Sequence, residues 1–304
     1  MLIPSVQIYN EDCIPGMKER LAAESCHCCI TSIPFGALFM YSGKTEDVGN
    51  NLDGVQLHEG QFGLHMRFFI EQLYRILEPG SVACIHIQQL LRYKVQHGFM
   101  GMRDFRGAVI TMFENHGFQP HGEVAIVKNP QAVAQRLKLH SLMFITGKRD
   151  SRALAPAMND YILFFRKPGE GEPVRGLYDH EMNPGGWFTQ EDWIKWAHGC
   201  WTDIHEIDTL EGYRAAKEHQ EEKHVCPLQL EVIRRCMRIY TKPGDLVIDP
   251  FLGIGSTAYV AVEQGRDCVG FELKESYYRM AAANADKAKR IFNQDNLFVA
   301  ANQR

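Results

Sequence analysis

Apolar residues follow two different periodicities along this chain. Short apolar runs predict buried strands, whereas apolar side chains three and four positions apart predict amphipathic helices. The predicted strands cover residues 6–9, 26–30, 81–87, 123–127, 161–165, 246–248 and 267–272. The predicted helices cover residues 13–23, 62–77, 105–116, 187–201, 228–240, 257–264 and 276–291. Strands that alternate with helices favour an α/β fold with a parallel sheet.

Composition narrows the class of protein without deciding its function. The 304 residues are 45% apolar and 23% charged, as in ordinary globular domains. We find neither an apolar run of about 18 residues nor a signal peptide. Nine cysteines are scattered along the chain, and with no export signal they predict a reducing cytoplasm. Cys26 and Cys29 form a CxxC without a second ligand pair, so we expect buried thiols and no metal.

The strongest local signal is DPFLGIGST at residues 249–257, where an apolar strand enters a glycine-rich turn before a helix. Gly253 and Gly255 allow a ligand to approach the backbone closely at the carboxyl end of the strand. Glu272 ends the next predicted strand, where a carboxylate can accept hydrogen bonds from the ribose hydroxyls of an adenosine cofactor. The same glycine spacing also fits a nicotinamide-dependent oxidoreductase.

A second signal is TSIPF at residues 31–35, again at the end of a predicted strand. The ring of Phe35 can stack on an extruded base. The hydroxyl of Ser32 and the carbonyl oxygen of Ile33 can accept hydrogen bonds from an exocyclic amine, which directs the lone pair of the nitrogen at an electrophile. His86, in the strand over residues 81–87, is expected near this edge in a structural role.

With both motifs in view, the chain resembles the amino-group DNA methyltransferases of the permuted beta order, in particular phage and prophage DNA methylases. TSIPF resembles their Ser/Asp/Asn-Pro-Pro-aromatic catalytic motif, and DPFLGIGST resembles their cofactor motif. FE at 271–272 resembles the ribose-binding acid, HVCP at 224–227 the segment before the cofactor motif, and DC at 12–13 a pair near the cofactor adenine. The likeness covers about residues 1–90 and 222–290.

This resemblance implies a circularly permuted, Rossmann-like α/β sheet that uses S-adenosylmethionine to methylate an exocyclic amino group of a flipped base in double-stranded DNA. It assigns catalysis to Ser32, Ile33, Pro34 and Phe35. It assigns cofactor binding to Asp12, Cys13, Thr31, His224, Asp249, Pro250, Phe251, Gly253, Gly255, Ser256, Thr257 and Glu272. Serine at the first catalytic position leans toward cytosine N4, and adenine N6 stays open.

The resemblance also divides the chain. Residues 1–90 are expected to be the catalytic half of the methyltransferase domain, residues 91–221 a target-recognition region, and residues 222–304 the cofactor-binding half. Within the middle region, residues 128–152 carry six Lys or Arg and one acid, which is typical of a phosphate-contacting patch. We expect DNA contacts from Arg136, Lys138, Lys148 and Arg149. A homodimer and a cognate restriction enzyme stay open.

One position departs from the family motif, because Ile33 stands where the first proline is expected. Isoleucine keeps the backbone carbonyl but frees φ and adds an N–H, so the loop loses rigidity. A protein that binds cofactor and DNA without turnover is therefore one alternative. A base methyltransferase acting on RNA is another.

Overall fold

The main sheet forms from short runs of apolar, largely β-branched residues, and amphipathic helices cover its two faces. The computed structural model describes residues 3–35, 48, 60–92, 98–99, 101–137, 140–174, 188–211 and 227–302. The strands are β1 (Val6–Tyr9), β2 (Cys26–Ser32), β3 (Leu77–Gln88), β4 (Leu90–Arg92), β5 (Gly101–Arg103), β6 (Gln119–Ile126), β7 (Asp160–Arg166), β8 (Cys200–Trp201), β9 (Leu246–Asp249) and β10 (Asp267–Phe271). The α-helices are α1 (Cys13–Arg20), α2 (Gln61–Ile76), α3 (Phe105–Glu114), α4 (Pro130–Leu137), α5 (Phe144–Arg149), α6 (Gln190–Trp196), α7 (Leu230–Tyr240), α8 (Ser256–Glu263) and α9 (Glu275–Asn302).

The strands of the main sheet lie in the order β1-β10-β9-β2-β3-β7-β6-β8, and β4 pairs with β5 separately. Strands β1, β10, β9, β2 and β3 are parallel to one another. Strand β7 runs antiparallel to both of its neighbours, β3 and β6. The α/β fold with a mostly parallel sheet was predicted, whereas the antiparallel direction of β7 was not. An apolar run buried on both faces has the same residue pattern in either direction, so the sequence did not reveal the reversal.

Each face of the sheet buries its own apolar cluster. On one face, α2 contributes Phe62, Met66 and Phe69 at helical spacing, and α3 adds Phe105. On the other face, α7 and α8 pack with the start of α9, where Tyr277 is buried. Parallel strands flanked in this way bring their carboxyl ends to a single edge, where ligands bind in open α/β sheets.

Element boundaries differ from the predictions where tertiary pairing decides them. The helix predicted over residues 62–77 ends at Ile76, and the predicted strand over residues 81–87 begins earlier, at Leu77, so that Glu78-Pro79-Gly80 lies inside β3. Helix α1 ends at Arg20 instead of residue 23, and α9 extends to Asn302. The short helices α4 and α5 and the β4–β5 pair were not predicted. Among the described helices, none is both long enough and apolar enough to cross a bilayer.

The predicted helix over residues 187–201 was too long, because within the described part, residues 188–201, only Gln190–Trp196 is α-helical. Thr189 begins this helix with a capping box to Asp192, and Trp201 lies in the short strand β8. Both Trp196 and Trp201 are buried, and Arg235 lies over their rings with its guanidinium 5.6 and 5.0 Å from the two centroids. Packing against α7 therefore shapes this segment more than local helical periodicity does.

We expect Arg235→Met to loosen residues 190–201. The buried guanidinium donates to both carboxylate oxygens of Asp203 at 3.1 and 2.7 Å, and its loss should lower the free energy of unfolding by about 2 kcal/mol. Urea denaturation measures the loss, and hydrogen exchange should localise it to α6 and β8. The matched control is Arg279→Met, which removes an exposed ion pair with Glu275 and should cost about 0.5 kcal/mol or less. Equal effects in the two variants would contradict the anchoring role.

Candidate active site

The carboxylate of Asp249, at the end of β9, joins the two sequence motifs. Its Oδ1 accepts the hydroxyl of Thr31 at 2.6 Å, and its Oδ2 accepts the hydroxyl of Thr257 at 2.7 Å. The backbone N–H of Phe251 also donates to Oδ1, at 3.1 Å. Burial raises the pKa of Asp249 to about 6, although these three donors oppose the shift. Asp249 thus holds β2, β9 and α8 together at the carboxyl edge of the sheet.

The glycine-rich turn after β9 lies against Glu272, which follows β10. The N–H of Gly253 donates to Oε2 of Glu272 at 2.9 Å, and the N–H of Lys274 donates to Oε1 at 2.8 Å. Gly253 has φ +56°, and a Cβ placed there would meet no atom within 4 Å among the described residues. The turn therefore borders open space beside a carboxylate that two backbone N–H groups hold in place.

Gly255 has a different reason to be glycine. It has φ +90°, and a Cβ placed there would lie 2.9 Å from Cα of Ala281 in α9. Absence of a side chain lets α9 approach the start of α8 closely. Pro250, Ser256 and Thr257 of the same turn and helix start are also buried. These predicted cofactor residues shape the turn, whereas Gly253 and Phe251 are partly exposed.

The N-terminal segment completes the same corner of the sheet. The N–H of Glu272 donates to the carbonyl of Tyr9 at 3.0 Å, and the side-chain amide of Asn10 donates to the carbonyl of Glu272 at 2.8 Å. Asp12 caps α1 by accepting the N–H of Ile14 at 2.9 Å. Cys13 is buried, and burial raises the pKa of its thiol well above the usual value. Asp12 therefore lies two residues after Asn10, which contacts Glu272. Cys13 lies in the core.

Ser32 belongs to a polar chain that crosses from β2 toward β6. Its Oγ lies 2.8 Å from Nδ1 of His86 in β3. The other ring nitrogen, Nε2, lies 3.2 Å from Oδ2 of Asp160, the first residue of β7. Nζ of Lys128, just after β6, lies 2.8 Å from the same oxygen. His86, Asp160 and Lys128 are all buried.

The reversed direction of β7 makes this chain geometrically feasible. In the sheet register, Ser32 pairs with His86, and Asp160 pairs with Gln88 on one side and with Ile126 on the other. Because β7 is antiparallel to its neighbours, its first residue lies at the edge where β2, β3 and β6 end. Burial raises the pKa of Asp160, but its hydrogen bond with His86 and the neighbouring ammonium of Lys128 outweigh burial and hold the pKa below its usual range.

The remaining residues of the TSIPF motif flank Ser32. Phe35 is partly exposed, and its ring centroid lies 5.8 Å from that of His86. Ile33 is 1% exposed and packs into the apolar cluster that includes α2. Pro34 is partly exposed. The side chain of Ile33 is thus a core residue, which leaves its backbone as the part that the predicted chemistry would use.

Three of the four predicted DNA-contacting residues belong to the short helices α4 and α5. Lys148 and Arg149 are exposed at the end of α5, and Arg136 lies in α4. Lys138 and the predicted cofactor residue His224 lie outside the described residues. Lys128, counted with the basic stretch, is buried in its ion pair with Asp160 and is not a surface cation.

Sequence reasoning missed Asp160 and the role of Lys128, and it expected His86 to be structural. A signal was available, because Asp160 is a lone acid that opens the apolar run YILFF, and Lys128 follows the apolar run VAIV. Charges rarely stand at the ends of buried strands without partners. The partner of each could not be read from the sequence, since the pairing spans different strands.

Cysteines of the CxxC motif lie inside the sheet. Cys26, Cys28 and Cys29 are buried in β2. Burial raises the pKa of Cys26 to about 12 and raises that of Cys29 well above the usual value. These thiols are packing residues on the two faces of β2.

A comparison with protein families identifies the family to which this chain belongs. A family model described as DNA methylase, N6_N4_Mtase, matches residues 26–283 and therefore includes TSIPF, the polar chain and the glycine turn. The chain belongs to the DNA methylase family. The alternative of a nicotinamide-dependent oxidoreductase is thereby excluded.

Individual relatives of this DNA methylase agree with the family. Type II methyltransferase M.MjaI of Methanocaldococcus jannaschii is 28% identical over 207 residues, which are 68% of this chain and 61% of that protein. The chain thus matches about three fifths of this relative's length.

Solved structures share the fold. A Thermus thermophilus protein described as a DNA modification methylase, complexed with S-adenosyl-L-methionine, has a TM-score of 0.66 at 19% identity over 93% of each chain. The cytosine-N4-specific PvuII DNA methyltransferase has a TM-score of 0.60 at 18% identity, over 96% of this chain and 94% of that chain. At this level of identity the likeness concerns the fold of the methylase alone.

We expect the two glycines of the turn to differ in their tolerance of alanine. Gly255→Ala forces a Cβ against the backbone of Ala281 at positive φ and should lower the free energy of unfolding by about 2–4 kcal/mol. Gly253→Ala adds a Cβ in open space and should cost only about 1 kcal/mol, from its left-handed backbone. Urea denaturation of both variants measures the difference. Similar losses would show that positive φ, and not the contact with α9, limits both sites.

Asp249 should make stability depend on pH. Its folded pKa of about 6 lies above the unfolded value of about 3.9, so its protonation stabilises the fold. That contribution is full below about pH 4 and is lost as the pH rises through about 6, by roughly 3 kcal/mol in total.

Asp249→Asn should remove this pH dependence. The free energy of unfolding of the variant, minus that of the wild type, should rise between pH 4 and pH 7 when both are measured by urea denaturation. Thr257→Val removes one donor to the carboxylate, so it should move the midpoint of the wild-type dependence to higher pH. A constant difference between wild type and Asp249→Asn would show that the pKa of Asp249 is not raised.

Proposed function

We propose that this chain transfers a methyl group from S-adenosylmethionine to an exocyclic amino group of a flipped base in double-stranded DNA, with cytosine N4 favoured over adenine N6. One observation carries the proposal. The hydrogen bond between Thr31 and Asp249 brings the Ser32 hydroxyl and the open turn at Gly253 to one edge of the sheet. A site for a base and a site for a cofactor are then neighbours, as a direct transfer between them requires.

The corner formed by Gly253 and Glu272 fits an adenosine cofactor. Open space at Gly253 leaves room for the ligand, and Glu272, held by two backbone N–H groups, is a carboxylate of the kind that accepts hydrogen bonds from ribose hydroxyls. S-adenosylmethionine, when bound, supplies a methyl group already activated on a sulfonium. Asp12, which caps α1, is proposed to lie near the adenine of the cofactor. Asp249, Thr31 and Thr257 act indirectly in this proposal, because their side chains are bonded to one another.

The base site is proposed around Ser32 and Phe35. The Ser32 hydroxyl and the carbonyl of Ile33 accept hydrogen bonds from the amino group, which keeps the nitrogen lone pair directed at the methyl donor. The partly exposed ring of Phe35 stacks on the base. Ile33 is anchored in the core, which supports an ordered backbone at the position where the family motif has proline.

DNA contacts are proposed for the part of residues 91–221 that lies outside the sheet. Strands β6, β7 and β8 of this region belong to the sheet, so they carry the site and not the recognition of sequence. Lys148 and Arg149 are exposed on α5 and are proposed to contact phosphates, together with Arg136 and Lys138. Such contacts weaken steeply as salt rises.

The choice of base follows the resemblance and not the geometry. Serine at position 32 favours cytosine N4, because aspartate is commoner there in adenine N6 enzymes. Two other functions share the same site. A binder without turnover would follow if Ile33 spoiled the loop, and an RNA methyltransferase would use the same contacts on a single-stranded base.

Methyl transfer tests the proposal directly. Labelled S-adenosylmethionine is incubated with unmethylated DNA or RNA, and the nucleosides are identified by mass after digestion. We expect N4-methylcytosine or N6-methyladenine in DNA. Ser32→Ala should lower the rate by about 100-fold or more while cofactor binding, measured by calorimetry, stays unchanged.

A second hydroxyl provides the control. Thr111 is exposed on α3 and donates only to the carbonyl of Gly107, at 3.0 Å, so Thr111→Ala should leave the rate unchanged. A methylated nucleoside found only in RNA would replace the DNA substrate by RNA. Cofactor binding without any product would favour the binder.

A further inference from the structure

Four side chains from four places in the sequence form one continuous polar path that ends at the proposed base site. Lys128 contacts Asp160 at 2.8 Å, Asp160 contacts His86 at 3.2 Å, and His86 contacts Ser32 at 2.8 Å. The first three are less than 10% exposed, so water does not replace these partners readily. The orientation of each side chain in the path is therefore set by its hydrogen bond to the next one.

The Lys128 end fixes the direction of the first two hydrogen bonds of this path. An ammonium group only donates and an ionised carboxylate only accepts, so Asp160 accepts from Lys128 and from Nε2–H of His86. When the imidazole is neutral, this contact holds its single proton on Nε2 and leaves Nδ1 bare. Nδ1 then accepts the hydroxyl proton of Ser32, and both lone pairs of the serine oxygen remain for a substrate donor.

We propose that Lys128 and Asp160 are positioning residues that act through His86 to make the Ser32 hydroxyl solely an acceptor toward the base. The inference rests on the proposed function and deepens it, because it states which bases fit. A base must present an N–H at this point, as the exocyclic amines of cytosine and adenine do. A carbonyl oxygen, as in thymine or guanine, would face an oxygen that has no proton to give.

Stability alone does not explain this arrangement. A buried ion pair contributes little more than well-packed apolar residues of similar volume. Asp160 also keeps Oδ1 buried without a hydrogen-bond partner among the residues that the structure describes. Within the same ranges, the hydroxyl of Ser32 has no protein partner other than His86. The path thus ends at the one hydroxyl that the proposed chemistry uses.

The first test removes the ion pair as a unit. The double variant Lys128→Met with Asp160→Leu leaves no unpaired buried charge, so it is expected to fold. Its kcat should fall by about tenfold to 100-fold, while KM for DNA and the Kd for S-adenosylmethionine stay within about twofold. The matched control is Lys167→Met with Glu24→Gln, which removes the 3.1 Å pair where β3 begins, at the opposite edge of the sheet, and should leave kcat unchanged.

A double-mutant cycle with Ser32→Ala separates positioning from general damage. If Lys128 and Asp160 act through Ser32, removing them in the Ser32→Ala background should change the single-turnover rate by less than about threefold. An undiminished loss in that background would overturn the proposal. This readout requires measurable residual activity, so a second measurement stands independently of catalysis.

Nitrogen-15 NMR of the histidine rings provides that measurement. The His86 signal is assigned by its loss in His86→Asn, and the wild type should show a neutral ring with the proton on Nε2. A proton on Nδ1 would overturn the proposal even if the protein is an active methylase. If the wild type methylates no nucleic acid, the proposed function fails, and the NMR result still decides the direction of the hydrogen bonds.

Discussion

The two hydroxyls that bind Asp249 hold together parts of the chain that lie more than two hundred residues apart. Thr31 directly precedes Ser32 at the end of β2, and Thr257 is the second residue of α8, the helix that follows the glycine turn. Neither motif forms the proposed site without the other, because TSIPF supplies the residues for the base and the glycine turn supplies those for the cofactor. A buried carboxylate suits this junction, since its two oxygens accept three donors at once.

The second constraint is the reversal of β7. In a wholly parallel sheet the first residue of this strand would lie at the far edge, away from Ser32. Reversal moves Asp160 to the edge where β2, β3 and β6 end, and β6 delivers Lys128 to the same place. The reversal of β7 therefore brings the carboxylate of Asp160 to this edge, beside the cation Lys128 that follows β6.

Sequence patterns predicted the parts of the structure that depend on local signals. Strands β1, β2, β9 and β10, and the positions of Ser32, Gly253 and Glu272 at strand ends, follow from apolar runs interrupted by polar or glycine residues. The direction of β7 could not be predicted, because its apolar run carries no mark of orientation. For the same reason the partners of His86 stayed hidden. The helix predicted over residues 187–201 was too long, because Arg235, more than thirty residues away, packs against Trp196 and Trp201.

The segment between β6 and β7 leaves the sheet at the carboxyl edge and returns to it there, since Ile126 at its start pairs with Asp160 at its end. Such a segment could be exchanged between relatives as a cassette, since its two junctions lie side by side and the strands that carry Ser32 and Asp249 are outside it. The exchange is not unconditional, however. Lys128 belongs to the cassette while its partner Asp160 belongs to the scaffold, so a chimera that altered what is recognised would stay compatible with the catalytic edge only if its insert kept a cation at the end of β6.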